Sequence, residues 1–424
     1  MRGVTSPHPV YVPRLVDPLL VELHASFAAV QIVGPRACGK TTTAARHVAQ
    51  VDRLDEPGTA SVYRLDPDAA LRRARRPLLI DEFQLYPEVR NAVKRAVDLD
   101  RTPGQFILTG SARTGLDLEF EAGTGRLITV HMTGLAEREI EGLATPARDG
   151  FLQRLVRSGL EELNVPVSPP NIDDYLGRAL RSGFPEPALR LASPSLRRRW
   201  LGSYVDNLVT RDAALAGQAK DASKLRSYLH VLALNTAGHP SAKTLYDAAG
   251  VNQRTAEGYD SLLESLYVTE RVPAWPRTGN RLKALAQAKK RYVLDSGLAA
   301  AAAGLTAENV LRDADLVGRL FDTFATAQLR AEADLADPAP RRHHLRTASG
   351  DAEIDLVFGM GGRRAVGIEL KASAAIGAAD AKHLVRLRED LGSDFLAGAV
   401  LYSGRQLVEL GDRIYGVPLC CLWS

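Results

Sequence analysis

Short apolar runs alternate with helical stretches over the first third of the chain. Residues 28–33 form an apolar run that predicts a buried strand, and a glycine-rich segment follows it directly. The further elements predicted here are a helix at residues 42–51 and strands at residues 62–65, 77–80, 105–108 and 127–132. Strands that alternate with helices in this way are typical of a parallel sheet with helices on both faces.

The middle of the chain has a mostly helical pattern. The predicted elements are helices at residues 152–163, 172–180, 195–211, 242–249 and 253–265, and a β-like segment at residues 267–272. A further helix starts near Lys224 and ends before Pro240. Three helices followed by a β-like segment have the order of a winged helix-turn-helix.

The last hundred residues return to a mixed pattern. The predicted elements are a helix at residues 318–330, strands at residues 354–358 and 365–370, a helix at residues 378–391 and two more strands. Gly361 and Gly362 form the turn between the first two strands. The chain is therefore predicted to be an α/β multidomain protein with a second α/β domain at its end.

The composition is that of an ordinary globular protein, and it excludes several classes. A chain of 424 residues with 45% hydrophobic and 25% charged residues is expected to form about two to four domains. Three cysteines are too few for a disulfide framework or a four-cysteine zinc site. The N-terminus lacks an apolar signal region, and no run of about 18 apolar residues occurs, which predicts a cytoplasmic protein without a membrane segment.

The net charge of +4 is small, so nucleic-acid contact depends on local clusters of basic side chains. Such clusters occur at residues 197–199, 289–291 and 341–344. Each fits a solvated face as well as a DNA-binding surface. The predicted recognition helix carries Glu257, Asp260 and Glu264, and these acids disfavour DNA reading by that helix.

The glycine-rich segment has the pattern of a Walker A loop. Its residues are Gly34, Pro35, Arg36, Ala37, Cys38, Gly39, Lys40 and Thr41, with Thr42 next in the predicted helix. Glycines let the backbone amides curl around phosphates, while Lys40 reaches the β and γ phosphates and Thr41 holds Mg²⁺. Only ten of the 54 basic residues are Lys, so a lysine at this position is a specific signal. The sequence therefore predicts ATP and Mg²⁺ as ligands.

The third predicted strand ends in two acidic residues. Residues 77–80 are apolar, so Asp81 and Glu82 at the end of a buried strand are costly unless they serve a cation. We predict that Asp81 binds Mg²⁺ through water and that Glu82 is the catalytic group that polarises the attacking water. On the fourth strand, the hydroxyls of Thr109 and Ser111 either sense the γ-phosphate or satisfy a strand end.

Three arginines are candidates for an arginine finger, a side chain that stabilises the charge on the transferring phosphate. They are Arg36, Arg113 and Arg126, of which Arg126 is preferred. Cys38 lies among the phosphate-binding amides, which either makes its thiol oxidisable or leaves it as loop filler.

An acidic pattern near the C-terminus predicts a second metal site. Asp355 lies near the start of one strand, and Glu369 and Lys371 share a face of the next strand because side chains alternate. This spacing is that of the PD-(D/E)xK nuclease fold, in which two carboxylates hold Mg²⁺ and the lysine acts on the attacking water. Asp322, on the preceding helix, is the predicted further ligand. The alternative is a salt-bridged pair of surface strands.

Together these motifs resemble the prokaryotic AAA-type ATP-binding proteins that carry the domain of unknown function 4143. Besides the Walker motifs and residues 108–111, the resemblance rests on residues 183–186, 203–204, 211–212, 294–298, 353–355 and 369–371. It covers nearly the whole chain and implies an ATPase, a winged helix and a restriction-endonuclease-like fold. Two positions depart from the pattern. Asp322 stands where related chains often have Glu, which weakens the expected metal ligand, and Ser182 stands where they have Gly.

These patterns predict four domains and two alternative functions. The domains are a P-loop AAA-type ATPase (1–145), a helical linker or lid (146–222), a winged helix (223–276) and a restriction-endonuclease-like domain (277–424). In the first function, ATP binding and hydrolysis govern a DNA-acting, nuclease-like C-terminal domain. In the second, the chain is a regulatory ATPase whose C-terminal fold is a catalytically silent binding module. The predicted partners are DNA and further copies of the chain.

Overall fold

The structure is a computed structural model that describes residues 11–111, 125–144, 149–213, 221–276, 288–347 and 353–424. Arg113, one of the finger candidates, lies outside the described residues. The described strands form a five-stranded sheet, a six-stranded sheet and a two-stranded hairpin.

The N-terminal sheet is parallel and has the order β2-β3-β4-β1-β5. Its strands are β1 (Ala29–Val33), β2 (Gln50–Arg53), β3 (Leu78–Asp81), β4 (Phe106–Gly110) and β5 (Ile128–His131). Every residue of β1, β3 and β4 is buried, which explains the unbroken apolar runs of the sequence. Because β4 lies between β1 and β3, the carboxyl ends of these three strands meet at one edge.

Helices cover both faces of this sheet. They are α1 (Asp17–Ser26), α2 (Lys40–Ala44), α3 (Pro57–Leu65), α4 (Pro67–Arg73) and α5 (Glu88–Leu99). Two sequence predictions are wrong here. Residues 62–65 belong to α3, where Ala60 and Tyr63 are buried at helical spacing while Leu65 is 88% exposed. The helix predicted at residues 42–51 ends at Ala44, and β2 begins at Gln50.

The middle of the chain is helical and ends in a hairpin. Its helices are α6 (Glu137–Ile140), α7 (Phe151–Ser158), α8 (Ile172–Arg181), α9 (Pro194–Asn207), α10 (Ala222–Leu234), α11 (Ala242–Ala248) and α12 (Gln253–Ser265). The antiparallel hairpin is formed by β6 (Thr269–Val272) and β7 (Lys290–Val293). This hairpin pairs residues from both sides of the predicted domain boundary at 276/277. The boundary therefore falls inside one paired unit, and the winged helix stays a prediction.

The C-terminal sheet is mixed and has the order β12-β13-β11-β10-β9-β8. Its strands are β8 (Arg341–Arg346), β9 (Glu353–Gly359), β10 (Ala365–Lys371), β11 (Phe395–Tyr402), β12 (Val408–Gly411) and β13 (Ile414–Pro418). The helices of this part are α13 (Ser296–Ala302), α14 (Ala307–Leu311), α15 (Ala314–Ala333) and α16 (Lys382–Leu391). The edge strand β8, which consists mostly of Arg and His, was not predicted from the sequence, and three strands follow α16 where two were predicted. Among the helices of the described ranges, none has the length and apolar character to cross a membrane.

Candidate nucleotide site and C-terminal carboxylate cluster

The glycine-rich loop runs from the end of β1 to the start of α2. Gly39 has a φ of 101°, a left-handed conformation that favours glycine, at the position before the helix. A Cβ atom on Gly34 would lie 1.9 Å from the carbonyl oxygen of Met132, just beyond β5. Gly39 is therefore needed for its left-handed backbone conformation. Gly34 is needed because its backbone lies close to that of Met132.

The Lys40 side chain is buried inside this loop. Its Nζ donates to the carbonyl oxygens of Gly34 at 3.0 Å and Pro35 at 2.7 Å, and the residue is 6% exposed. Neutral carbonyl dipoles only partly compensate a buried ammonium charge. An anion such as a phosphate would complete the compensation, which fits the predicted role of this lysine.

Asp81 connects the loop with the two neighbouring strand ends. Its Oδ1 accepts a hydrogen bond from the Thr41 hydroxyl at 2.8 Å and another from the Thr109 hydroxyl at 2.5 Å. The three side chains come from β3, α2 and β4, so the sheet order brings them together. Hydroxyl and carboxylate oxygens are the ligands that Mg²⁺ prefers. Thr41 and Asp81 are thus in direct contact, and their role in binding a cation stays a prediction.

Glu82 follows Asp81 with a φ of 56°, an uncommon conformation for a residue other than glycine. Its Oε2 accepts hydrogen bonds from the Gln84 amide and, at 3.3 Å, from the Ser111 hydroxyl. Gln84 also donates to Ser111 at 3.1 Å. The carboxylate predicted as the base is therefore held at the end of β4. Gln84 belongs to a motif of the family resemblance, but the sequence analysis gave it no role.

Arg14 lies outside the loop and stabilises it through hydrogen bonds. No sequence pattern predicts this role of Arg14. Its Nη1 donates to the carbonyl oxygen of Cys38 at 3.0 Å, and its Nη2 donates to that of Thr133 at 2.9 Å. The guanidinium also forms an ion pair with Glu139 at 3.0 Å. Burial lowers the pKa of Arg14, but Glu139, Cys38 and Tyr11 together outweigh burial and leave the pKa raised. Arg14 therefore ties the loop to the segment that follows β5.

The structure does not bring Arg126 to the loop of its own chain. Arg126 precedes β5, and the pairing of Val30 with Ile128 places it at the amino ends of the strands, opposite the loop. There it forms a surface ion pair with Asp98 at 2.8 Å. As a correction to the sequence prediction, Arg126 can act as a finger only on a neighbouring copy of the chain.

The remaining loop residues have ordinary surroundings. Arg36 is half-buried and Ala37 and Thr42 are exposed. Cys38 is fully buried, and its Sγ lies 3.6 Å from the carbonyl oxygen of Met132. This burial favours the interpretation of Cys38 as loop filler.

The predicted C-terminal carboxylates do come together, but around a lysine. Lys290, the first residue of β7, is fully buried, and its Nζ donates to Asp322 at 2.7 Å and to Asp355 at 2.8 Å. The Tyr292 hydroxyl donates to Asp322 at 3.0 Å, and the Leu370 amide donates to Asp355 at 2.8 Å. Asp322 lies on α15 and Asp355 on β9, so Lys290 bridges two elements of the C-terminal part.

Burial strongly affects the ionisation of this cluster. It raises the pKa of Asp322 to about 6 against the opposing effect of Lys290. Burial lowers the pKa of Lys290, but Asp322 and Asp355 outweigh it, and the pKa is raised well above its ordinary value. Burial and the neighbouring Asp355 raise the pKa of Glu369 well above its ordinary value. Glu369 is 3% exposed, and its Oε1 has no hydrogen-bond partner among the described residues.

The metal site predicted at Asp322, Asp355 and Glu369 stays a prediction. Within the described part of the chain, no group of three or more His, Cys, Asp or Glu side chains is arranged to hold a metal ion. Lys290 supplies positive charge between Asp322 and Asp355. Lys371 is half-buried at the end of β10, where its charge lowers the pKa of Glu369 less than burial raises it. The salt-bridge alternative describes the cluster better, although the bridge is buried rather than on the surface.

In two of the predicted basic clusters, basic side chains form ion pairs with acidic residues of the same chain. Lys290 is fully buried, and Arg291 forms an ion pair with Asp260 at 2.5 Å. Arg342 pairs with Glu270 at 2.8 Å and also with Asp334. In the remaining cluster, Arg198 and Arg199 are exposed. These ion pairs were not predicted from the sequence, because every acidic partner is distant along the chain or lies on another element.

Two motifs of the family resemblance contact each other. The Oδ1 of Asp295 accepts from the Leu298 amide at 2.7 Å and caps α13. Its Oδ2 accepts from the Gly183 amide at 2.8 Å and from the Ser182 hydroxyl at 2.9 Å. Ser182 therefore supplies a hydrogen bond that a glycine at this position could not.

Three glycines mark a crossing of backbone segments beside this contact. We call Gly134, Gly183 and Gly297 the glycine crossing. A Cβ atom on Gly183 would lie 2.5 Å from the Leu135 carbonyl oxygen, and one on Gly297 would lie 2.6 Å from the Ser182 Cβ. The segment after β5, the segment after α8 and the start of α13 thus meet at backbone distance.

The fold and the loop define the class of the N-terminal part as a P-loop ATPase domain of the AAA type. Residues 26–141 match the family described as AAA domain. Residues 172–309 match a domain of unknown function (DUF8612), and residues 317–422 match a second one (DUF4143). The chain therefore combines an AAA-type domain with DUF4143, as the resemblance predicted.

Relatives of nearly the full length exist in mycobacteria. An uncharacterized protein of Mycobacterium bovis and one of Mycobacterium tuberculosis are each 27% identical over 397 residues, which is 92% of this chain and 79% of each relative. Among solved structures, the Walker-type ATPase of Pyrococcus abyssi is similar with 14% identity and a TM-score of 0.40. That similarity covers 68% of this chain and 94% of the other.

Proposed function

We propose that this chain is an ATPase that binds ATP with Mg²⁺ at residues 34–41 and hydrolyses it with Glu82 as the base. The observation that carries this proposal is the contact of Asp81 with Thr41 and Thr109. It joins the glycine-rich loop, the acidic strand end and the fourth strand at one edge of a parallel sheet. That edge is where open α/β sheets bind their ligands.

The chain's own residues then have distinct roles. Lys40 compensates the charge of the β and γ phosphates, and Thr41 and Asp81 hold the cation, Asp81 through water. Bound Mg²⁺ neutralises charge that develops on the phosphates. Glu82 takes a proton from the water whose oxygen attacks the γ-phosphorus, while the bond to the β-phosphate oxygen breaks. Gln84 and Ser111 position the Glu82 carboxylate.

Two substitutions test the assignment of these roles. Lys40→Ala should abolish ATP binding, because the phosphates lose their ammonium partner. Glu82→Gln should keep ATP binding and stop turnover, because a carboxamide cannot accept the proton. Calorimetry and phosphate release measure the two effects, with Lys94→Ala and the exposed Glu88→Gln as controls. An affinity of Lys40→Ala within about threefold of wild type would refute the site.

For the C-terminal part we propose the regulatory role rather than the DNA-acting one. The supporting observation is that α15 contacts the end of the ATPase domain directly. The Glu137 amide donates to Gln328 at 2.7 Å, and Glu332 accepts from Arg138 at 2.6 Å and from the Phe151 amide at 2.6 Å. A conformational change in the segment after β5 can therefore be transmitted to α15 directly through these hydrogen bonds. DNA binding stays a prediction from the sequence.

Hydrogen exchange tests this coupling. ATP binding to wild type should increase the protection of the β9 and β10 amides, and Glu332→Gln should reduce that increase while ATP still binds. Loss of the carboxylate charge weakens the hydrogen bonds that Glu332 accepts from Arg138 and from the Phe151 amide. The exposed Glu389→Gln serves as the control. If bound ATP leaves the exchange of β9 and β10 unchanged in wild type, the regulatory role fails.

A further inference from the structure

The lysine in the C-terminal carboxylate cluster comes from outside the C-terminal sheet. Lys290 belongs to β7, which pairs with β6 in the two-stranded hairpin and not with the six-stranded sheet. Its two carboxylate partners, Asp322 and Asp355, lie on α15 and β9. The hairpin therefore extends its first residue into a cluster that the other part of the molecule provides.

The three residues that follow this lysine in β7 are each fixed by a polar contact. Arg291 forms an ion pair with Asp260 on α12 at 2.5 Å. The Tyr292 hydroxyl donates to Asp322 at 3.0 Å, and the Val293 amide donates to the Thr236 hydroxyl at 3.1 Å. Lys290 is thus held by its neighbours along the chain as well as by its own ion pairs, and its place in the cluster is built into the fold.

The position of the ammonium is incompatible with a divalent cation on the same oxygens. Lys290 Nζ lies 2.7 Å from Asp322 Oδ2 and 2.8 Å from Asp355 Oδ1. A cation bound to both carboxylates would lie within about 4 Å of Nζ, and charges of one sign repel strongly at that distance in a buried site. The donor set therefore does not fit the Mg²⁺ that the nuclease-like spacing implies.

We propose that Lys290 is the resident cation of this cluster, and that Asp322, Asp355 and Lys290 form a latch that holds the β6–β7 hairpin to the C-terminal domain without a metal ion. Removal of the ammonium would leave buried carboxylates without a counter-charge, which is costly. The same removal should turn the cluster into a site that a divalent cation stabilises.

The first experiment asks whether the native cluster binds a divalent ion. Nucleotide-free, full-length protein carrying Asp81→Asn, which removes the predicted cation ligand of the nucleotide site, is titrated with Mn²⁺ and followed by electron paramagnetic resonance. We expect no bound Mn²⁺ up to about 1 mM, since Lys290 already neutralises the carboxylates. Binding that the further substitution Asp355→Asn abolishes would overturn the proposal.

The second experiment removes the ammonium. In the same Asp81→Asn protein, Lys290→Met should lower the melting temperature, and Mn²⁺ should raise it again while binding at least about tenfold more tightly than to the protein that keeps Lys290. The exposed neighbour provides a matched control, because Lys289→Met should show neither effect. A Lys290→Met protein that melts like its parent and binds no Mn²⁺ would contradict the proposal.

A third variant covers the case in which Lys290→Met does not fold. Adding Asp322→Asn and Asp355→Asn to Lys290→Met removes the uncompensated charges along with the lysine. This triple variant should fold and should melt closer to the parent protein than Lys290→Met does. If the triple variant is no more stable than the single one, the three residues do not form a latch.

Discussion

Asp81 accepts hydroxyl hydrogen bonds from two different elements on a single oxygen atom. Thr41 is predicted to hold the cation as well, so its loss affects ligand binding and geometry together. Thr109 contacts the carboxylate from β4, and its contribution can be measured separately. At the residue scale, we expect this hydroxyl to orient the carboxylate, and sensing of the γ-phosphate stays the alternative.

Thr109→Val replaces the hydroxyl with a methyl group of similar size. A hydrogen bond to a charged group contributes about 1.5–3 kcal/mol, so we expect kcat for ATP hydrolysis to fall about tenfold to a hundredfold. ATP affinity should change by less than about threefold, because Lys40 and the loop amides stay in place. Steady-state phosphate release and calorimetry measure the two values. Thr129→Val, on the exposed face of β5, is the control, and an unchanged kcat in Thr109→Val would contradict the orienting role.

The nucleotide site could be predicted at residue level where its signal is local. The loop from Gly34 to Thr41 and the pair after β3 are short patterns with a known chemical purpose. Arg14 and Lys290 have no such pattern, because their partners are distant: Arg14 contacts a carbonyl 119 residues away, and Lys290 contacts an aspartate 65 residues away. Only the fold brings these groups together.

At the scale of elements, burial on both faces made β1, β3 and β4 predictable from their apolar runs. The same reasoning failed for residues 62–65, because Val62, Tyr63 and Leu65 on a largely exposed helix also suit a short strand. It also failed for β8, where an edge position permits Arg and His side chains and removes the alternation. The strands β2 and β8, which were not predicted, both lie at the edge of a sheet, although the edge strand β5 was predicted.

The glycine crossing gives a prediction at the same scale. Gly183→Ala should lower the free energy of unfolding by about 2 kcal/mol or more, since the added Cβ would lie 2.5 Å from the Leu135 carbonyl oxygen. Gly177→Ala, in the exposed turn of α8 with no neighbouring atom within 4 Å, should stabilise the protein by up to about 1 kcal/mol. Denaturant unfolding measures both. Equal stability of the two variants would show that the segments can separate without cost.

At the scale of the whole molecule, Glu270 joins three parts of the chain. It lies on β6 and pairs with Arg330 of α15 at 3.0 Å and with Arg342 of β8 at 2.8 Å. Burial tends to raise the pKa of Glu270, but the two arginines outweigh it and lower the pKa from 4.5 to about 2. Folding therefore favours the ionised carboxylate, and the stability that it contributes is present above pH 4.5.

That contribution should be lost as the pH falls from about 4.5 to about 2, because the unfolded chain takes up the proton first. Comparison of wild type with Glu270→Gln by denaturant unfolding should show a stability difference on the order of 3 kcal/mol at neutral pH that shrinks across this window. Glu308→Gln, in a surface pair with Arg312, should show almost no difference. A difference for Glu270→Gln that does not change with pH would exclude the ion pairs as its source.

The source of Lys290 also limits how these domains can be exchanged during evolution. The lysine lies within residues 172–309, which match one family of unknown function, while Asp322, Asp355 and Glu369 lie within residues 317–422, which match the other. A recombination event that transferred only residues 317–422 would separate Asp322 and Asp355 from Lys290. Their negative charge would then be buried in the transferred domain without a counter-charge. In this chain the two segments should therefore be exchanged together, and a chimera that keeps both should fold more readily than one that keeps either alone.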